Sequence, residues 1–487
     1  MSVEQDMAGC AGEMLLSAEG HRKRLSNLRD ADQAVRSCRR KHTIRTYFPG
    51  QVTYNLGEYP NRISMAPTSY DVELLQTLAK GGVSLIAIHE EWNDPLRLLG
   101  ADKFTSPDPK GLQAFIDLVH SLGMKITLYA STGYFDIRDP DFRPDWTSFD
   151  FHLVDLFFKY AMCSPASPEW RAYLLPRLER VLDEYGIDGL YNDTGYEPLW
   201  RYANTGTRQV SGPYEPLPFR SEGRFRHVSP EPETPDHDAA MEDLLGIIYE
   251  SVHRRGGVYR LHIGGNRQPN YKSKVYDYLW VGEGVSDLRL LRRETMNHTP
   301  YVVPAPDFSS GMLEREDDLY LYSISSMQFP LRVDGRPCTG ERSVFPNIEY
   351  CPVTPDRAMS GFMKVQKYYQ DHPNAYPSFG QWDSCPGRPE ARERWLYHLS
   401  LYLPMVKKGT RVWIEVVESS LFRQELNPDF SASLFVNDET YLVLANFGKT
   451  SAEINTVWSW RDRETNRSGT VWSVPPHDLL FLQRIVQ

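Results

Sequence analysis

The chain has 487 residues, 41% hydrophobic and 24% charged, enough apolar material for a large globular core. Its net charge of −10, with basic residues clustered only near the start, argues against a nucleic-acid partner. No stretch reaches transmembrane length, and the opening MSVEQDMAGCAGEMLL has no basic region ahead of an apolar run, so the sequence reads as cytoplasmic and free of membrane partners.

Six cysteines lie at 10, 38, 163, 338, 351 and 385 with no CxxC or Cys/His cluster, which excludes a zinc ribbon and a dense disulfide framework. Cys338 and Cys351 are near enough in sequence to pair across a loop. Residues 1–45 are polar, helix-prone and basic in HRKRLSNLRD and RSCRRKH, the pattern of a surface helix or linker.

From Thr46 the pattern alternates strand and helix. Strands are expected at Gln51–Leu56, Val83–His89, Lys125–Ala130, Gly189–Asn192, Val258–Ile263, Tyr278–Val281, Tyr301–Pro304 and Ser325–Leu331. Helices are expected at Asp71–Lys80, Lys110–Leu122, Pro168–Tyr185, Asp238–Arg255, Asp356–Gln370 and Glu390–Lys407. Eight such units predict a (β/α)₈ TIM barrel over residues 46–408, with long insertions from Tyr134 to about Ser167 and from Thr194 to about Pro235. Both insertions follow strand C-terminal ends, so both belong over the barrel mouth. From Gly409 to the end, short strands separated by turns predict a small C-terminal antiparallel β-sandwich.

The catalytic face of such a barrel is built from the strand C-terminal ends. Asp193 closes strand four in GIDGLYNDTG and is the first catalytic candidate, while Asp188, before the strand, falls at the opposite end. Glu283 lies between two glycines after strand six and is the second; Asp287 and Asp307 compete with it. Glu90, Glu91, Trp92 and Asp94 follow strand two and are candidates to hydrogen-bond and stack on a sugar. His262, Asn266, Asp307, Arg332 and Asp334 are further substrate-binding candidates, and Tyr54, Tyr129 and Tyr191 are read as barrel filling. Two carboxylates across a polar pocket suit glycoside hydrolysis, one attacking or activating water and the other protonating the leaving oxygen.

The segments SPEWRAYLLPRLERVLDEYGIDGLYNDTG and LQAFIDLVHSLGMKITLYAS, with the closing VPPHDLLFLQ, resemble barrel glycoside hydrolases of the α-galactosidase (melibiase-like) clan and its α-glucosidase relatives. The resemblance implies Asp193 as nucleophile, Glu283 as acid/base, a retaining mechanism on an α-linked glycoside, a carbohydrate substrate, and no metal or organic cofactor. The chain departs from the clan in two places: Tyr191 replaces the lysine of the clan's Lys-x-Asp, and Glu283 replaces an Asp. Tyr191 also stands where the α-amylase pattern has Arg. The alternative expectation is a non-catalytic carbohydrate-binding or regulatory protein on a degenerate barrel. Oligomeric state leaves no mark in the sequence.

Overall fold

The computed structural model of the protein describes residues 16–56, 64–88, 92–93, 104–136, 139–146, 160–194, 237–262, 272–281, 288–296, 301–305, 316–336 and 392–486. The described chain starts with helix α1 (Ala18–Ala34) and strand β1 (Arg40–Thr43), then enters the barrel. There it alternates β2 (Gln51–Asn55), α2 (Ser69–Lys80), β3 (Leu85–Ile88), α3 (Pro109–Ser121) and β4 (Lys125–Ser131). A hairpin of β5 (Tyr134–Asp136) and β6 (Tyr160–Met162) precedes α4 (Pro168–Glu184) and β7 (Gly189–Asp193). Next come α5 (His237–Arg254), β8 (Val258–His262), β9 (Tyr278–Val281), α6 (Leu288–Thr295), β10 (Val302–Pro304), α7 (Glu316–Ile324), β11 (Arg332–Gly335) and α8 (Arg392–Tyr402).

These strands form one parallel eight-stranded sheet in the order β10-β9-β8-β7-β4-β3-β2-β11. The sheet curls until its outer strands meet, where the Leu331 N–H donates to the Pro304 carbonyl at 2.8 Å. Most strands are buried along their whole length, as expected where helices cover one face and barrel-filling side chains the other.

Local chemistry sets the element ends. Thr68 and Asp71 form a reciprocal capping box at the start of α2, worth about 1 kcal/mol. Asp108 caps α3 and Ser167 caps α4. Gly186 takes φ +61° after α4, a conformation that penalises any residue with a Cβ. Gly189 lies so close to β8 that an added Cβ would stand 1.8 Å from the Val258 carbonyl oxygen. Gly189 is therefore required by the close approach of β8, and Gly186 is favoured by its left-handed conformation.

The structure moves strand eight. Residues 325–331 form a buried turn after α7, with Met327 at φ +58°, and the strand itself is β11. The expected helix 356–370, the Cys338 and Cys351 pair, and most of the insertion after strand four lie outside the described residues.

After α8 and a 3₁₀ turn, strands β12 (Arg411–Ile414), β13 (Phe430–Val436), β14 (Thr440–Asn446), β15 (Ala452–Asp462), β16 (Ser468–Val474) and β17 (Asp478–Arg484) build an antiparallel β domain. Their sheet has seven strands, because β1 pairs antiparallel with β12, Arg40 opposite Ile414 and Thr43 opposite Arg411. Helix α1 lies on the same domain: Ala31, Ala34 and Val35 are buried with Trp413, Leu434 and Leu444. Arg24 donates to the Gly409 carbonyl and Asn27 to those of Asn437 and Asp438. The N-terminal segment is thus an integral layer of the C-terminal domain. A single apolar core continues from the barrel through Tyr402 and Met405 to Ile414, Phe435, Val443 and Phe481. Among the described residues, no helix is long and apolar enough to cross a membrane.

Candidate active site

In-register neighbours on parallel strands share a face. Tyr129 on β4, Tyr191 on β7 and Arg260 on β8 lie level with one another. Two residues further, Ser131, Asp193 and His262 form the next layer, at the C-terminal ends of the same strands. Side-chain contacts show that this face is the barrel interior. The Tyr191 ring stacks on Trp280 of β9 at 4.8 Å, and the Arg260 guanidinium lies 4.3 Å from the Tyr191 ring centre and 4.9 Å from that of Trp280. Across the barrel, Arg260 reaches the Gln51 side-chain carbonyl of β2 at 3.4 Å.

Asp193 sits on top of this layer. The Tyr129 hydroxyl donates to its Oδ2 at 3.1 Å, and His262 Nδ1 lies 3.7 Å from its Oδ1. The Tyr191 hydroxyl approaches the same imidazole nitrogen at 3.4 Å. The Asp193 side chain keeps 20% of its surface exposed while His262 keeps 5%, so the carboxylate is the group that a molecule in the mouth meets. Strand alternation sends Asn192 to the opposite face, where it accepts from the Thr132 hydroxyl at 2.8 Å and donates to the Tyr259 hydroxyl. Burial raises the Tyr259 pKa, so this phenol stays neutral behind the wall.

At the far end of β7, Asp188 accepts from the Ile126 N–H at 2.9 Å, Lys125 at 3.0 Å and His120 at 2.8 Å. Burial works against its charged form, but the His120 and Lys125 contacts hold the carboxyl below its usual range, and the same hydrogen bond raises His120. This cluster joins α3, β4 and β7 and lies away from the mouth.

Several expected site residues are placed elsewhere. Trp92 is fully buried; its indole N–H donates to the Tyr129 carbonyl at 2.9 Å and its ring meets Tyr185 edge-on. It braces the wall and presents no face for stacking. Arg332 and Asp334 are in register with Val52 and Tyr54, on the helix-facing side of the sheet. Arg332 and Arg392 of α8 both bond the Asp334 carboxylate at 2.7 Å. Tyr54 also faces outward, donating to Asp71 at 2.6 Å, so it does not fill the barrel. Glu90, Glu91, Asp94, Asn266, Glu283, Asp287 and Asp307 lie outside the described residues. Arg260 and the Tyr129 contact were not singled out in the sequence as site features. The available signal was an arginine inside the apolar strand VYRLHI, which burial obliges to find partners. Among the described residues, no cluster of His, Cys, Asp or Glu is placed to hold a metal ion.

No family model matches the sequence, and no curated protein matches it. Solved structures do match in shape. A noncanonic maltogenic α-amylase, AmyB from Thermotoga neapolitana, aligns with a TM-score of 0.52 at 10% identity, over 90% of this chain and 99% of its own. Isomaltulose synthase from Klebsiella sp. LX3 aligns with a TM-score of 0.52 at 11% identity, over 89% and 98%. The α-glucosyl transfer enzyme XgtA reaches 0.54 at 11% identity, over 90% and 99%. At such identities the likeness is one of fold: a TIM barrel followed by a C-terminal β domain. It does not single out the α-galactosidase clan.

Proposed function

We propose that this protein is a retaining hydrolase of α-linked glycosides, with Asp193 as nucleophile and Glu283 as acid/base. The observation that carries the proposal is the Asp193 carboxylate: it ends the fourth barrel strand, is oriented by the Tyr129 hydroxyl and borders His262, and it remains open to the mouth. The fold match supports it, and an amylase and an α-glucosyl transfer enzyme on that fold supply the substrate class. Tyr129 fixes Oδ2, and in this reading the Asp193 carboxylate attacks the anomeric carbon. As that bond forms, Glu283 gives its proton to the departing glycosidic oxygen. Water then attacks the glycosyl-enzyme, Glu283 takes its proton, and Asp193 is released. Glu90, Glu91, Asp94, Asn266 and Asp307 are proposed as sugar contacts on the rim.

The test is a pair of variants assayed on aryl α-glycosides. Asp193→Gly is expected to lose about 10⁴-fold or more in kcat. Added azide should restore turnover and give a glycosyl azide of inverted configuration. Glu283→Ala is expected to lose about 10²–10⁴-fold on poor leaving groups, with azide giving the retained product. Near-normal hydrolysis by Asp193→Gly would sink the assignment.

A further inference from the structure

A cavity lies at the end of the barrel opposite Asp193. It has a volume of about 590 Å³, within the range of small-molecule sites, and is lined by the first residues of several strands: Lys125 of β4, Val258 of β8 and Tyr278 of β9. Arg45 and Phe48, Tyr249 and His253 of α5, and Lys274 and Tyr301 complete the lining. The length of β8 puts it about 13 Å from His262 and the Asp193 layer.

Its charges are unbalanced. Asp277 is the one carboxylate among the described lining residues, and it is already engaged by His253 at 2.9 Å and by the Tyr259 N–H at 2.9 Å. Lys125 is paired with Asp188 at 3.0 Å. Arg45 and Lys274 form no ion pair among the described residues. The Lys274 ammonium instead lies over the Tyr301 ring at 4.6 Å and the Tyr276 ring at 5.4 Å. Desolvation by these surroundings lowers its pKa despite the pull of Asp277. The Tyr278 hydroxyl accepts from the Phe48 N–H at 2.6 Å; the other lining rings are Tyr249, packed on His253 at 4.1 Å, and Tyr301, edge-on to Tyr47 and Tyr278. In a chain of net charge −10, two exposed cations that line one cavity without an ion pair among the described residues, beside aromatic rings, suit an anionic head on a ring.

We propose that this cavity binds a sugar phosphate, with Arg45 and Lys274 taking the phosphate and Tyr249 and Tyr301 flanking the sugar. Arginine suits the planar, two-point contact with phosphate oxygens and lysine adds a point charge. The site is independent of the hydrolytic reading, since it uses no residue of the Asp193 layer.

Calorimetric titration of the full chain with glucose 6-phosphate, glucose and inorganic phosphate tests it. Saturable binding of glucose 6-phosphate is expected, tighter than inorganic phosphate, weakened about tenfold or more by Arg45→Gln with Lys274→Met and unchanged by Asp193→Asn. Circular dichroism checks that the double variant is folded. Binding that survives the double substitution, disappears in Asp193→Asn, or is absent from the unsubstituted chain would overturn the proposal. Equal affinity for inorganic phosphate would overturn its sugar component.

Discussion

His398 links one imidazole to the acid limit of the protein. It lies on α8 with its ring stacked on Tyr320 at 4.1 Å, and its buried Nδ1 has no hydrogen-bond partner among the described residues. Burial, with Arg394 adding to it, pushes its pKa down to about 4. The unfolded chain takes up this proton near the ordinary value of about 6.5 while the folded chain does not. Stability tied to His398 is therefore complete above about pH 6.5 and lost as pH falls toward 4. His398→Phe keeps the ring stack and removes the proton. It is expected to gain roughly 2–3 kcal/mol over the parent near pH 4.5 and little near pH 8, read from urea unfolding at both values. At the same scale, the place of Asp193 at a strand end was legible because a carboxylate closing the strand after Gly-Ile-Asp-Gly has one address in a barrel. Its supports were not, because Tyr129 lies 64 residues away and meets it only through the sheet register.

Among elements, β11 shows where sequence reading fails. The apolar run SSMQFPL looks like a strand and RVDG like the loop after it, yet the hydrogen bonds to β2 run through Arg332–Gly335. The run instead turns back under the barrel, and the charged strand is stable because Arg332 and Arg392 neutralise Asp334. Which face Asp334 takes depends on register, and a one-residue slip would have sent it inward. Removing the carboxylate takes from both arginines the anion they share, at a place where the Arg332 side chain is 3% exposed. Asp334→Ala is therefore expected to cost about 3–5 kcal/mol in chemical denaturation. A folded, fully stable variant with altered substrate affinity would instead place Asp334 in the mouth. The other seven strands were read close to their positions because each is an apolar run between a helix-ending turn and a polar loop.

For the whole molecule, the barrel and the β domain share one core, and the N-terminal segment belongs to the latter. A local reading sees a basic helix with no partner, because the partner lies in the last fifth of the sequence. Deleting residues 1–44 would strip α1 from Trp413 and Leu434 and bare the β12 edge to other chains. The truncated protein is expected to self-associate and to melt at least about 5 °C lower, measured by light scattering and calorimetry.

The pairing of β1 with β12 also sets a timetable for synthesis. Thr43 leaves the ribosome long before Arg411, its strand partner. At about 5–20 residues per second the wait is roughly 20–70 s, during which the barrel strands emerge in order. Throughout that interval Ala31, Ala34 and Val35 have no surface to cover them. The barrel must be assembled with its first segment hanging free. Strands β12–β17 then take up β1 and α1 as they form, so that emergence of the β domain, rather than closure of the barrel, is the step that finishes the described fold.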